Sequence, residues 1–377
     1  MRKILFAIGN RAHYARIKPI IERLNNKSIY KLLIYDTAYT SLRKILEDDN
    51  YISECIFIDT YIKGGNLLTM TKSTGNAILL LSDAIAEYRP DIIVVIADRY
   101  EIMAPAIIAR YMNICLVHIQ GGEITGTIDD SIRHTVSKLS NYHFVSNVTA
   151  KRNLLRMGEN EDDIFITGCP TLDVISNNEK LIDNKIKKFW KKENINDIPN
   201  YILVNFHPIT TEYNQNSNYV KVLYEAIKEF NYQIIWLMPN SDAGSDKIRK
   251  EINNIKQTNK KILFFENFEI IEYLSLLKYA KCVVGNSSVG IRETSYLGTP
   301  SITIGSRQKN RETANNVIRC DMNSTEIKDA IIYQVGHGKY KTSTLYGDGH
   351  ASERIANNLL NIKIKKEKFV EGGYNDK

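Results

Sequence analysis

The sequence predicts an α/β protein in two halves, each a parallel sheet covered by helices on both faces. Three observations predict it. Short β-branched runs alternate with helical patterns along nearly the whole chain. The runs are almost continuously apolar rather than alternating, as strands buried on both faces should be. The alternation breaks once, after Gly168-Cys169-Pro170, where residues 177–199 are polar, lysine-rich and free of strand patterns. A length of 377 residues fits two domains of about 100–200 residues each. The expected strands of the first half are 4–8, 32–35, 92–96, 114–119, 143–146 and 164–167. Those of the second are 201–205, 233–238, 261–265, 282–284 and 301–304, and a helical pattern at 351–362 follows. The resulting division is two Rossmann-like domains, 1–172 and 173–377.

Composition narrows the class. Hydrophobic residues make up 43% and charged residues 25%, which fits ordinary globular cores and excludes a disordered polymer. No apolar run approaches the roughly 18 residues of a spanning helix, and the first run meets Asn10-Arg11 too early for a signal-peptide core. The expectation is a cytoplasmic protein with no membrane partner. Five scattered cysteines without a C-x-x-C pair read as buried thiols rather than a disulfide framework. The net charge of +7 comes largely from 185–192, 247–261 and 363–368, where lysines alternate with apolar residues at helical spacing. Solvated helix faces account for them, and no nucleic-acid partner is expected.

Ligands of open parallel sheets bind outside the carboxyl ends of the strands, so the residues just after each run are the informative ones. They are Gly9-Asn10-Arg11, Asp98-Arg99, Gln120-Gly121-Gly122-Glu123, His207-Pro208, Pro239-Asn240, Gly285-Asn286-Ser287-Ser288 and Gly305-Ser306-Arg307. The turn at Gly285–Ser288 offers free N–H groups before a helix and suits a diphosphate. An N-capped helix with Ser287 or Ser288 as cap accounts for the same residues, and Arg307 and Arg311 favour the anion. Asp129 and Asp130 open another helix, with Arg133 and His134 four residues on. Glu123 and Asp98 stand nearby in sequence or topology, and several carboxylates in one pocket separate acid from base. His118 and His143 read as core residues, and His207 ends a strand before a proline. No metal-ligand spacing, G-x-S-x-G elbow or P-loop occurs.

Asp98-Arg99-Tyr100-Glu101, His118-Ile119-Gln120-Gly121-Gly122-Glu123, Ile128–His134, His207–Thr211, Gly285–Ser288, Arg292-Glu293 and Gly305–Gln308 together resemble the hydrolysing UDP-N-acetylglucosamine 2-epimerases of sialic acid synthesis, over about residues 3 to 350. The resemblance implies a glycosyltransferase-B type fold with the active site in the interdomain cleft, a homodimer, no cofactor and no metal. It implies elimination of UDP across C1–C2 to give 2-acetamidoglucal, then hydration with inversion at C2 to N-acetylmannosamine. Asp98, Glu123 and Asp129 would surround the sugar, with Asp130 and Arg133 in support. Arg11, His207, Asn240, Phe268, Gly285, Ser287, Ser288, Glu293 and Arg307 would serve the nucleotide, Glu293 at the ribose. One departure stands out: many members carry glutamate where this chain has Gln120, which cannot exchange protons. Competing readings are the same reaction on a 2,4-diacetamido-trideoxyhexose nucleotide for legionaminic acid, a glycosyltransferase, and a nucleotide-sugar binding protein without turnover.

Overall fold

The computed structural model describes residues 1–24 and 27–368. The first sheet has seven parallel strands: β1 (Lys3–Ile8), β2 (Ile29–Ile34), β3 (Cys55–Phe57), β4 (Ile92–Ile96), β5 (Cys115–Ile119), β6 (Tyr142–Val145) and β7 (Ile164–Ile166), in the order β3-β2-β1-β4-β5-β6-β7. The second has six: β8 (Tyr201–Asn205), β9 (Gln233–Leu237), β10 (Ile262–Phe265), β11 (Cys282–Gly285), β12 (Ser301–Ile304) and β13 (Val317–Cys320), in the order β10-β9-β8-β11-β12-β13. Both faces of each sheet are covered. Along β1, Ile4, Phe6 and Ile8 enter one core while Leu5 and Ala7 enter another; along β8, Ile202 and Val204 part from Tyr201 and Leu203 in the same way. Continuous apolar runs are therefore required. This is the α/β arrangement of two parallel sheets that the sequence predicts, and the glycosyltransferase-B type that the resemblance implies.

Two strands were not foreseen, β3 and β13. Both are short sheet edges with partly exposed residues, so they lack the apolar continuity of the central strands. The last helix, Ala351–Asn361, also departs from expectation. It lies within 173–377, yet its Ile355, Ala356 and Leu359 complete the core of the first sheet with Ile17, Ile20 and Leu24 of the helix Arg11–Leu24. The chain thus crosses between the halves twice, and the crossings touch: Cys169 N donates to the Tyr346 carbonyl at 2.7 Å. Asp173 then caps the returning helix, accepting from Ala351 N (2.9 Å) and Ser352 N (2.6 Å). Most of the 177–199 region is the helix Glu179–Lys192, whose Ile182, Ile186, Phe189 and Trp190 pack on the second sheet. Among the described residues no helix is long and apolar enough to cross a membrane.

Candidate functional site

Strand order reverses between β1 and β4 in one sheet and between β8 and β11 in the other. Both reversals face a common cleft, which the halves close through direct bonds such as Gly244 N to Gly65 O (2.9 Å) and Asn310 N to Thr125 O (3.1 Å). The backbone at these strand ends is unusual. Ala97 (φ 75°) and Gln120 (φ 66°), each directly after a strand, are non-glycine residues in the left-handed region, a conformation that costs on the order of 1–2 kcal/mol and gathers at functional sites. His118 secures the first of them: its Nε2 donates to the Ala97 carbonyl at 2.8 Å while Nδ1 lies 3.0 Å from the Ser137 hydroxyl. Burial pushes this imidazole down to about 3, so the ring is neutral and held as a core residue.

Asp98, Glu123 and Asp130 meet three arginines. Arg133, fully buried, donates to Asp98, to Asp130 and, at 2.6 Å, to the Glu123 carbonyl. From the second half, Arg292 reaches Glu123 at 2.6 Å, and Arg311 lies 3.2 Å from Glu123 and 3.4 Å from Asp98. Ser146 donates to the other Glu123 oxygen at 2.9 Å. Burial opposes charge on both acids, but the arginines win: Arg133 and Arg311 hold Asp98 far below the usual carboxylate range, and Arg292, Arg311 and Arg133 bring Glu123 down to about 2. Buried charges persist only when paired in this way. Asp130 accepts from Thr125 N (2.8 Å), Thr125 Oγ (2.6 Å) and Gly126 N (2.7 Å), which makes it the organiser of the loop before the helix Ile128–Leu139.

Asp129 behaves differently. It does not pair with Arg133 four residues on, nor does Asp130 pair with His134; Arg133 takes Asp130 at i,i+3, and Asp129 instead faces Arg307 across the cleft at 3.5 Å. Burial pushes the Asp129 carboxyl up to about 6; Arg307 opposes the shift, and the charges of Asp98 and Asp242 add to it. Two neighbouring acids thus titrate well apart, one ionised and one near neutrality.

On the opposite wall, Arg307 Nη1 donates to the Asn286 carbonyl at 3.2 Å. The Asn286 side chain clasps the His207 backbone from both sides, at 2.7 and 2.8 Å. His207 Nδ1 accepts from Asn240 N at 3.2 Å, and burial, followed by the charge of Arg307, lowers its imidazole to about 3. Gly285 is obligatory, because its φ is 153° and a Cβ there would sit 2.0 Å from the Asn205 carbonyl oxygen. Neither Ser287 nor Ser288 caps a helix: the 3-10 turn Ser288–Gly290 and the six-residue helix Arg292–Leu297 carry no side-chain cap, so capping does not account for these serines. Buried Glu293 leaves its Oε2 without a partner among the described residues. Arg11 and Phe268 share a different mouth of the cleft, where Arg11 Nη1 donates to Asn267 Oδ1 at 2.6 Å and Phe268 stacks on Tyr273. Gln120 is wholly buried behind Glu123, its Oε1 accepting from Arg292 (3.2 Å) and its Nε2 facing Cys169 Sγ (3.0 Å).

Sequence reasoning missed the role of Arg292 and Arg311 as counter-charges: Arg311, read beside Arg307 as favouring an anion, is 2% exposed and paired inward with Glu123 and Asp98. Asp242, which lines the space between Asp129 and Arg307, was also missed. An arginine directly after the apolar and small residues Val289-Gly290-Ile291 was the available signal for Arg292.

The comparisons agree with one another. The family model described as UDP-N-acetylglucosamine 2-epimerase matches residues 38–360. The UDP-N-acetylglucosamine 2-epimerase of Neisseria meningitidis serogroup B is 33% identical over 372 residues, 96% of each chain. The UDP-N,N'-diacetylbacillosamine 2-epimerase (hydrolyzing) of Legionella pneumophila is 31% identical, covering 97% of this chain and 98% of its own. Among solved structures, the UDP-GlcNAc 2-epimerase of Methanocaldococcus jannaschii in complex with UDP-GlcNAc and UDP superposes with a TM-score of 0.82 at 23% identity, over 95% of this chain and 99% of the other. With the motifs, the two-sheet fold and full-length likeness to these enzymes in accord, the chain belongs to the UDP-N-acetylglucosamine 2-epimerase family.

Proposed function

We propose that the protein is a hydrolysing 2-epimerase that converts UDP-N-acetylglucosamine and water to N-acetylmannosamine and UDP, as a cytoplasmic homodimer supplying sialic acid synthesis. The observation that carries the reading is a pair of acids of opposite character, Glu123 near 2 and Asp129 near 6, on the wall facing Arg307. Departure of UDP leaves positive charge at C1, which the ionised Asp98 and Glu123 favour, while Arg307 and the N–H groups after Gly285 meet the charge growing on the diphosphate. Loss of the leaving group acidifies C2–H. Glu123, already ionised, takes that proton, and Asp129, whose carboxyl is raised toward neutrality, returns one to C2 of the 2-acetamidoglucal from the other face as water adds at C1. Asp130 and Arg133 fix the carboxylates, His207 and Asn240 shape the phosphate wall, Glu293 Oε2 accepts from the ribose, and Arg11 and Phe268 enclose the far end of the nucleotide. The buried place of Gln120 fits this scheme, since a residue behind Glu123 need not exchange protons itself.

Turnover of UDP-N-acetylglucosamine in heavy water tests the mechanism. Deuterium at C2 of the mannosamine, and solvent oxygen on C1, are expected; product that keeps its original C2 hydrogen refutes elimination. A second reading, the same reaction on a diacetamido-trideoxyhexose nucleotide, is favoured by relatives from Legionella pneumophila and Campylobacter jejuni that are 31% and 32% identical and named for diacetylbacillosamine substrates. UDP release from that sugar alone would select it. No release from either sugar would leave a binding protein.

A further inference from the structure

A line of alternating acidic and basic side chains crosses the cleft twice. Glu101 and Arg99 belong to the first half, Asp242 and Arg307 to the second, and Asp129 to the first again. Arg99 Nη2 lies 2.9 Å from Glu101 Oε1 on its own side, and 3.0 Å from Asp242 Oδ1 and 3.1 Å from Ser241 Oγ on the other. The second Asp242 oxygen accepts from Asn240 Nδ2 at 2.6 Å and stands 3.8 Å from Arg307 Nη2. That same guanidinium nitrogen is 3.5 Å from Asp129. All five side chains are at least four-fifths buried. Neither carboxylate approaches Arg307 to the 2.7–2.9 Å of a charge-assisted hydrogen bond, whereas Asp242 makes shorter contacts to Arg99 and Asn240. Asp242 is therefore turned away from the arginine beside it.

We propose that Arg99 is a positioning residue: by engaging Asp242 from the opposite half it keeps that carboxylate from neutralising Arg307, so the diphosphate site acquires its full positive charge only when the halves are closed. The inference rests on the reading of Arg307 as the diphosphate's partner. It makes closure and phosphate affinity one event, since the residue that liberates Arg307 comes from across the cleft. Without Arg99, Asp242 can swing onto Arg307 and compete with the ligand. Burial opposes the charge on Asp242, but Arg99 and then Arg307 outweigh it and hold the carboxyl below the usual range. Glu101 can do without Arg99, since burial pushes its carboxyl up to about 8 even with that arginine beside it.

The test is a double-mutant cycle read by calorimetric titration of the full chain with UDP, with thermal unfolding to establish that each variant folds. Asp242→Asn removes the competitor and should tighten UDP by roughly three- to tenfold, whereas Arg99→Met should weaken it by a similar factor. The double variant should bind as Asp242→Asn does. A direct long-range effect of the Arg99 charge on the ligand would persist without Asp242, so a double variant markedly weaker than Asp242→Asn overturns the proposal. So does weaker binding by Asp242→Asn, or unchanged binding by folded Arg99→Met. Arg99→Lys, which retains charge with a single contact, should fall between Arg99→Met and the parent, and serves if the methionine variant fails to fold. Arg307→Ala separates the two ideas: UDP affinity unchanged in that variant removes the diphosphate assignment itself.

Discussion

Replacing Asp129 with asparagine should make the protein more stable while abolishing the proposed proton transfer. In the folded chain the carboxyl titrates at about 6 against an ordinary value of 3.8, so burial makes its ionised form unfavourable. A displacement of roughly two pH units corresponds to about 3 kcal/mol of folding free energy at roughly 1.4 kcal/mol per unit. The 17% exposure of the side chain lets some water reach it and trims the expectation to about 2–3 kcal/mol. Because the folded value is the higher one, the native state binds more protons between the two values, and stability falls as pH rises from 3.8 toward 6. Above that window the penalty is complete; below it there is none. Asparagine, which cannot ionise, escapes the penalty. Urea unfolding of parent and variant at about pH 4, 5, 6 and 8 should therefore show midpoints that coincide in acid and separate progressively, the variant higher. A variant no more stable than the parent at about pH 8, or a gain of equal size at about pH 4, would refute the argument that this acid is held near neutrality by its burial. Such a trade of stability against function is common at active sites.

Glu123→Gln should act in the opposite sense: its folded carboxyl is near 2 instead of 4.5, so the variant should lose about 3 kcal/mol at neutral pH, a deficit that narrows in denaturant titrations as pH falls below 4.5. Arg307→Ala should lower kcat/KM for UDP release by about 10²-fold and weaken UDP binding, and full activity in steady-state assays would make the residue structural. Gly285→Ala should fail to fold, as circular dichroism or insolubility would reveal, because its Cβ would fall 2.0 Å from the Asn205 oxygen. Gln120→Glu should retain turnover within about tenfold, since the new carboxylate would face Arg292 where the amide oxygen already accepts, and a thiol able to donate lies opposite.

How far the sequence could be read depended on where each residue's partners lie. Runs such as Ile92–Ile96 announce themselves because both faces must be apolar, whereas Cys55–Phe57 and Val317–Cys320 sit at sheet edges and need no such continuity. Asp98, Glu123 and His207 were legible as strand-end residues, a rule that holds within one sheet. Arg292 and Arg311 were not, since their partners Glu123 and Asp98 belong to the other half, and nothing local specifies how two halves face each other. The same limit explains Asp129: its helical neighbour Arg133 was the nearest cation in sequence, but the cation it meets is Arg307, far along the chain. The helix Ala351–Asn361 follows the second half in sequence, and only its packing reveals that it serves the first.

That last helix has a consequence for the order in which the protein can be made. Synthesis proceeds from the amino end, and domains commonly fold as they emerge. Here the seven strands of the first sheet leave the ribosome long before Ile355, Ala356 and Leu359, the side chains that cover one face of that sheet beside the helix Arg11–Leu24. Until residues 351–361 have been made, Ile17, Ile20 and Leu24 lack the helix that buries them. The first half to be synthesised is thus the last to complete its core, and a nascent chain stalled short of Ala351 should present an open apolar face to chaperones even though the second sheet is already entire.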